Sequence, residues 1–168
     1  MSFVDHLPML RPVLIDVEQS AVGAAVRLTP QLYPVLESLH LVGIALLVGP
    51  ALVMDLRLMG LGGRTVPVGT VLRLVPVCMA GFALAAVTGL AMFAGIALSV
   101  GESMAAPWKF GLILLAGVNA LLFHVGVRRS LAAWQVATRP PLAARLAGAV
   151  SAASWCAVVV AGRYLAYV

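Results

Sequence analysis

The sequence predicts an all-α fold: an integral membrane four-helix bundle with an N-terminal amphipathic interfacial helix. Composition, the length of the apolar stretches and the placement of charge all point to it. Of 168 residues, 62% are hydrophobic and only 10% charged, and the mean hydropathy is +1.07, values that belong to a membrane protein. Four stretches, about 31–55, 71–100, 107–127 and 141–165, each reach the ~20 residues that cross a bilayer. The chain therefore divides into an extracytoplasmic amphipathic segment, 1–30, and a four-helix transmembrane domain, 31–168. So little chain lies outside the spans that any chemistry must sit in the bundle or on its rims.

In chain order, Asp5, Arg11, Asp16 and Glu18 interrupt any apolar core of a signal peptide, so the first thirty residues are expected to stay on. Leu14, Val17, Ala21, Ala25 and Leu28 recur at helical spacing, which predicts an amphipathic helix in the outer interface or capping the bundle. Pro50 is expected to bend the first span, and Pro76 falls near the start of the second, where a missing backbone donor matters less. Small residues four apart let helix backbones approach closely. Gly81, Ala85 and Gly89 form such a ridge in the second span; Gly148, Ala152 and Cys156 form another in the fourth, beside Ala153, Ala157 and Ala161. The turn Gly60, Gly62 and Gly63 lacks the strand and helix that a phosphate loop requires.

Seven arginines, Arg57, Arg64, Arg73, Arg128, Arg129, Arg139 and Arg145, fall in the 1–2 and 3–4 connections and their helix ends. The opposite side carries Arg11, Arg27, Lys109 and Arg163, diluted by Asp5, Asp16, Glu18 and Glu102. Retention of positive charge in the cytoplasm then puts both termini outside it. The net charge of +5 follows from this topology. No basic stripe is interleaved with aromatic residues, so nucleic acid is not an expected partner.

Ionisable groups inside apolar spans are costly and mark function by default. Glu37 and His40 lie in the first span, Lys109 and His124 in the third. At about 1.5 Å of rise per residue, the two histidines differ in depth by roughly 15 Å, so they should not share one metal or haem iron. Counting brings Met92, Phe93, Trp155 and Cys156 to the level of His40, with Lys109 slightly higher and Glu37 one turn above on the same face. Glu37 is placed to orient the imidazole or hold a proton. A secondary candidate site lies at the inner level, where His124 is accompanied by Cys78 and Met79. Asn119 is deeper in the same helix, more than a right angle around it.

Each group also has a plainer reading. Lys109 and Trp108 open a helix, where a snorkelling lysine and an anchoring tryptophan are ordinary. His124 is close to the cytoplasmic rim, Glu37 can reach outer water, and Met92, Trp155 and Cys156 can simply pack. Cys78 and Cys156 lie at different depths, which argues against a disulfide. The sequence contains no G-x-S-x-G, H-E-x-x-H or C-x-x-C and no close carboxylate pair, so no catalytic residues are assigned and enzymatic activity is left open. A transporter would need a polar midplane, whereas Ala, Leu, Val and Gly fill it here.

The strings YPVLESLHLVGIALLVG, DLRLMGL, APWKFGLILLAGVNALLFH and AGRYLAY resemble a bacterial four-helix inner-membrane family of unassigned function over nearly all the chain past residue 30. More distantly, His40, the glycine of TGL and the Trp108–Lys109 pair resemble two other families. These are the CopD-type copper-resistance membrane domains and the HemJ-type membrane protoporphyrinogen oxidases. The HemJ resemblance implies a haem b in the bundle, with His40 at the helix-one histidine and Lys109 at the helix-three lysine. The CopD resemblance implies copper handling, for which His40, Met92 and Cys156 offer a soft ligand set suited to Cu(I).

The leading expectation is a haem b membrane protein of the bacterial inner (plasma) membrane, acting in electron transfer or as a membrane oxidoreductase. His40 is the axial ligand, Lys109 or Met92 gives the opposite ligand or a propionate contact, and Glu37 and Trp155 complete the cofactor set. The expected partners are the lipid bilayer, a quinone or redox protein, and further copies of the chain. The alternatives are a copper-binding protein using the same cluster and a cofactor-free structural subunit of a membrane complex.

Overall fold

The computed structural model describes residues 9–62, 65–134 and 139–165; Asp5, Gly63 and Arg64 lie outside the described residues. No strand occurs among the described residues. In chain order the α-helices are α1 (Leu10–Gln19), α2 (Ala21–Leu28), α3 (Leu32–Leu58), α4 (Val68–Val71), α5 (Val75–Gly95), α6 (Ala97–Glu102), α7 (Ala105–Val125), α8 (Leu131–Trp134) and α9 (Leu142–Leu165). Single 3₁₀ turns join α4 to α5 and α7 to α8. The four segments built on α3, α5, α7 and α9 are long and apolar enough to cross a membrane. No more than 22% of the most apolar window of any span is buried within the bundle. Residues such as Val87, Leu90, Leu114 and Leu122 instead face outward. An apolar exterior around a thin core is what a bilayer solvent demands. The protein is a multi-pass helical membrane protein.

The spans follow the expected ones with two differences. Helix α3 continues through Pro50 to Leu58, one turn beyond the expected end, and so carries Asp55 inside the bundle. The second span ends at Gly95 instead of near residue 100, because Ile96 leaves helical geometry at φ −135° and ψ 35°. There α2 docks: a Cβ at Gly95 would stand 2.7 Å from Val26 Cγ1, and one at Gly23 would stand 2.6 Å from the Ala94 carbonyl oxygen. Pro76 occupies the first turn of α5, where its missing donor costs nothing.

The N-terminal segment forms two helices where one was expected. Ser20 separates them, its hydroxyl donating to the Val17 carbonyl at 2.6 Å and accepting from the Gly23 amide at 3.2 Å as the N-cap of α2. Gly23 and Val26 form the buried face of α2, and Leu28 points away from it. The Glu18 carboxylate accepts from the Leu98 amide at 2.9 Å in the first turn of α6 and lies 3.6 Å from the Arg27 guanidinium. The segment thus caps the bundle. The end that carries α1, α2 and α6 is termed upper, the opposite end lower.

Packing order is α5, α3, α9, α7, each element antiparallel to the next. The ridge predicted in the second span meets α3 at very short range. A Cβ at Gly43 would stand 2.7 Å from the Ala85 nitrogen, and one at Gly81 would stand 2.6 Å from the Leu47 nitrogen. On α9 the packed ridge departs from the predicted one. Gly148 is pressed against the Asp55 carbonyl and Leu58, but the packed line then runs through half-buried Ser151 and Trp155 and buried Ser154, leaving Cys156 exposed. At the lower end Leu58, Val68, Leu72, Phe123, Trp134 and Ala144 form the main apolar cluster. Arg57, buried beside it, donates through Nε to the Val66 carbonyl and so ties down the following turn.

Candidate functional site

The row α5, α3, α9, α7 does not close evenly. Helices α5 and α7 meet at the upper end, where Phe93 and Phe110 stack edge to face with centroids 6.4 Å apart. Lower down, residues of both line a cavity. This divides the polar residues of the interior into an upper group around His40 and a lower group around a cavity.

In the upper group the His40 ring crosses from α3 to the small-residue ridge of α5. A Cβ at Gly89 would stand 2.8 Å from its Cε1, so only glycine admits the imidazole here. His40 Nδ1 lies 2.8 Å from the Ala85 carbonyl oxygen and 3.2 Å from the Thr88 hydroxyl, which itself donates to the Leu84 carbonyl at 2.7 Å. A carbonyl can only accept, so Nδ1 carries the proton. Nε2 keeps its lone pair and has no hydrogen-bond partner among the described residues.

Lys109 and Glu37 lie within electrostatic range of His40. The half-buried Lys109 reaches across from α7 to α9, its Nζ lying 3.5 Å from the position a Cβ would take on Gly162. Glu37 is exposed, and the imidazole is oriented by Ala85 in place of the expected carboxylate. Met92 is half-buried on α5, one turn above Gly89.

Trp155 belongs elsewhere. It packs on Leu47, Ala51 and Cys78 and lines the lower cavity, so it does not join the His40 group. Cys156 is exposed on α9 while the His40 ring faces α5. Among the described residues no three His, Cys, Asp or Glu side chains form a metal-binding group, and both cysteines are free.

The lower cavity has a volume of about 300 Å³ and is walled mainly by apolar side chains of all four long helices. The secondary candidates His124, Met79 and Cys78 all line it, and so does Asn119, whose amide donates to the Ala147 carbonyl at 2.9 Å and links α7 to α9. Asp55 and Ser151 also line it and were not among the residues the sequence singled out. The signal was present, because Asp55 is the one acidic residue in the lower half of the first span. Its position at the expected helix end concealed it.

Together these features define a four-span helical membrane protein with a histidine held between two helices and a separate, laterally placed cavity. A model of DUF6644, a family of unknown function, matches residues 16–168, and the chain belongs to that family. No curated protein and no solved structure matches it.

Proposed function

We propose that the protein binds haem b in the upper half of the bundle and passes electrons within a bacterial inner membrane, to or from a quinone or a partner protein. The observation that carries this reading is the state of His40. Its Nδ1–H is anchored on the Ala85 carbonyl, and the lone pair on Nε2 is left free. Fixing one ring nitrogen on a carbonyl sets the tautomer and orientation of a metal-ligating histidine and raises its basicity. Gly89 holds the ring against α5, which limits its rotation.

Lys109 supports the same reading. The half-buried Lys109 amine, within electrostatic range of the imidazole, would help hold the haem, as a ligand when neutral or as a counter-charge to a propionate when protonated. Bound haem would supply a one-electron redox centre; the protein's own part is to hold it, orient it and exclude water. The arginine-rich connections support a topology with both termini outside the cytoplasm.

The test is the absorption spectrum of detergent-purified protein, oxidised and then reduced with dithionite, at known protein concentration. A Soret band with sharpened reduced bands at near-stoichiometric yield is expected. A featureless spectrum from cells supplied with haem would overturn the proposal. Metal analysis would then separate copper binding at His40 and Met92 from a cofactor-free structural role.

A further inference from the structure

Two residues that line the lower cavity each carry a buried polar atom with no hydrogen-bond partner among the described residues. Asp55 is 5% exposed, and its Oδ2 is buried without a hydrogen-bond partner. His124 Nε2 is buried without a partner as well. Its Nδ1 lies 2.9 Å from the Ala120 carbonyl and therefore carries the proton, which makes Nε2 an acceptor. Both residues line the same cavity, one from α3 and the other from α7. An unsatisfied buried polar atom is destabilising, and in hydrocarbon no water is at hand to relieve it.

The rest of the wall states what kind of molecule relieves it. The lining is predominantly apolar, and at about 300 Å³ the volume lies at the small end of ligand pockets, which run from about 300 to 1,000 Å³. The mouth lies between α5 and α7, where Met79, Phe82, Gly117 and Ala120 are both cavity-lining and outward-facing. Those positions face lipid in a bilayer. A ligand therefore enters sideways from the membrane and must itself be membrane-soluble. Trp155 offers a flat aromatic wall.

We propose that this cavity binds the ring of a membrane-dissolved aromatic diol of the quinol class, with Asp55 and His124 accepting hydrogen bonds from its hydroxyl groups. A flat apolar ring with two donors satisfies both acceptors. The oxidised quinone, which carries acceptors only, leaves the His124 Nε2 acceptor unsatisfied. The inference stands on the cavity and does not depend on haem at His40. It locates the quinone partner named above at a site distinct from the His40 group.

The experiment titrates decylubiquinol and decylubiquinone into the purified full-length protein in detergent, reading quenching of tryptophan emission, with Trp155→Phe to assign the signal. Haem content is taken from the absorption of the same samples, so loss of haem and loss of the quinol are read separately. Saturable binding is expected, with the quinol at least about 10-fold tighter than the quinone, the factor that 1.4 kcal/mol produces. Asp55→Asn should remove most of that preference. Gly117→Leu narrows the mouth at a position where an added Cβ meets nothing within 4 Å, so it should fold normally and weaken quinol binding about 10-fold. Equal affinity for the two redox forms, unsaturable quenching, or competition by dodecylbenzene as effective as the quinol would each overturn the proposal. So would unchanged binding in Gly117→Leu. If Asp55→Asn fails to fold, the wild-type preference and Gly117→Leu still decide.

Discussion

His40 Nδ1 lies 2.8 Å from the carbonyl oxygen of Ala85, forty-five positions away on the neighbouring helix. Two chemically different requirements meet in that contact. The carbonyl already serves the backbone of α5, and a second hydrogen bond to it requires the imidazole to lie almost on the helix surface. Gly89 makes that approach possible, and the close packing of Gly43 and Gly81 brings α3 within reach. The free Nε2 is a consequence of the packing ridge.

The ridge itself makes a stability prediction. Gly43→Val and Gly81→Val each force a side chain into backbone of the facing helix and should destabilise the protein by about 1–3 kcal/mol, the usual cost of overpacking. Gly111→Ala should be neutral or stabilising by up to ~1 kcal/mol, because a Cβ there meets nothing within 4 Å and alanine favours helix. Thermal unfolding in one detergent, with all three variants side by side, checks the contrast.

Lys109 and Trp108 should separate cleanly. Lys109→Met is expected to shift the haem spectrum or lower haem retention several-fold, because Lys109 lies half-buried within electrostatic range of His40. Trp108→Phe should leave the spectrum unchanged, since Trp108 is 70% exposed. Matched absorption spectra at equal protein concentration make the comparison.

The upper cap depends on Glu18. Glu18→Ala removes the acceptor for the Leu98 amide together with the Arg27 ion pair, an expected loss of about 1 kcal/mol carried chiefly by the hydrogen bond. Glu18→Gln keeps an acceptor oxygen and should lose less. Hydrogen exchange at residues 97–102 should speed up in Glu18→Ala more than in Glu18→Gln.

Topology is tested by reporters. Alkaline phosphatase fused after Val168 should be active, and the same reporter in the 135–138 connection should be inactive, if the arginine-rich connections lie in the cytoplasm.

What the sequence revealed followed from one-dimensional signals. Apolar length gave the four spans, and small residues at spacing four gave the face of α5 that packs on α3. His40 stood out because a titratable ring inside an apolar run is costly. Azimuth was the missing quantity. Trp155 shares a predicted depth with His40, yet it turns toward Cys78 and the lower cavity. Asn119 and His124 are more than a right angle apart on α7, yet both reach that cavity because it spans more than one turn of the helix. Asp55 was read as a helix end, and the extra turn to Leu58 drew it inside. The break at Ile96 follows Gly95, a weak helix former whose signal was hidden in a continuous apolar run, and it falls where α2 docks.

Haem content per polypeptide, measured on wild type and His40→Ala purified in parallel from cells supplied with haem, tests the central claim most directly. The account predicts close to one haem per chain in wild type and almost none in His40→Ala, with both proteins eluting as the same folded species on gel filtration. A full haem complement in His40→Ala, or none in wild type, would contradict it.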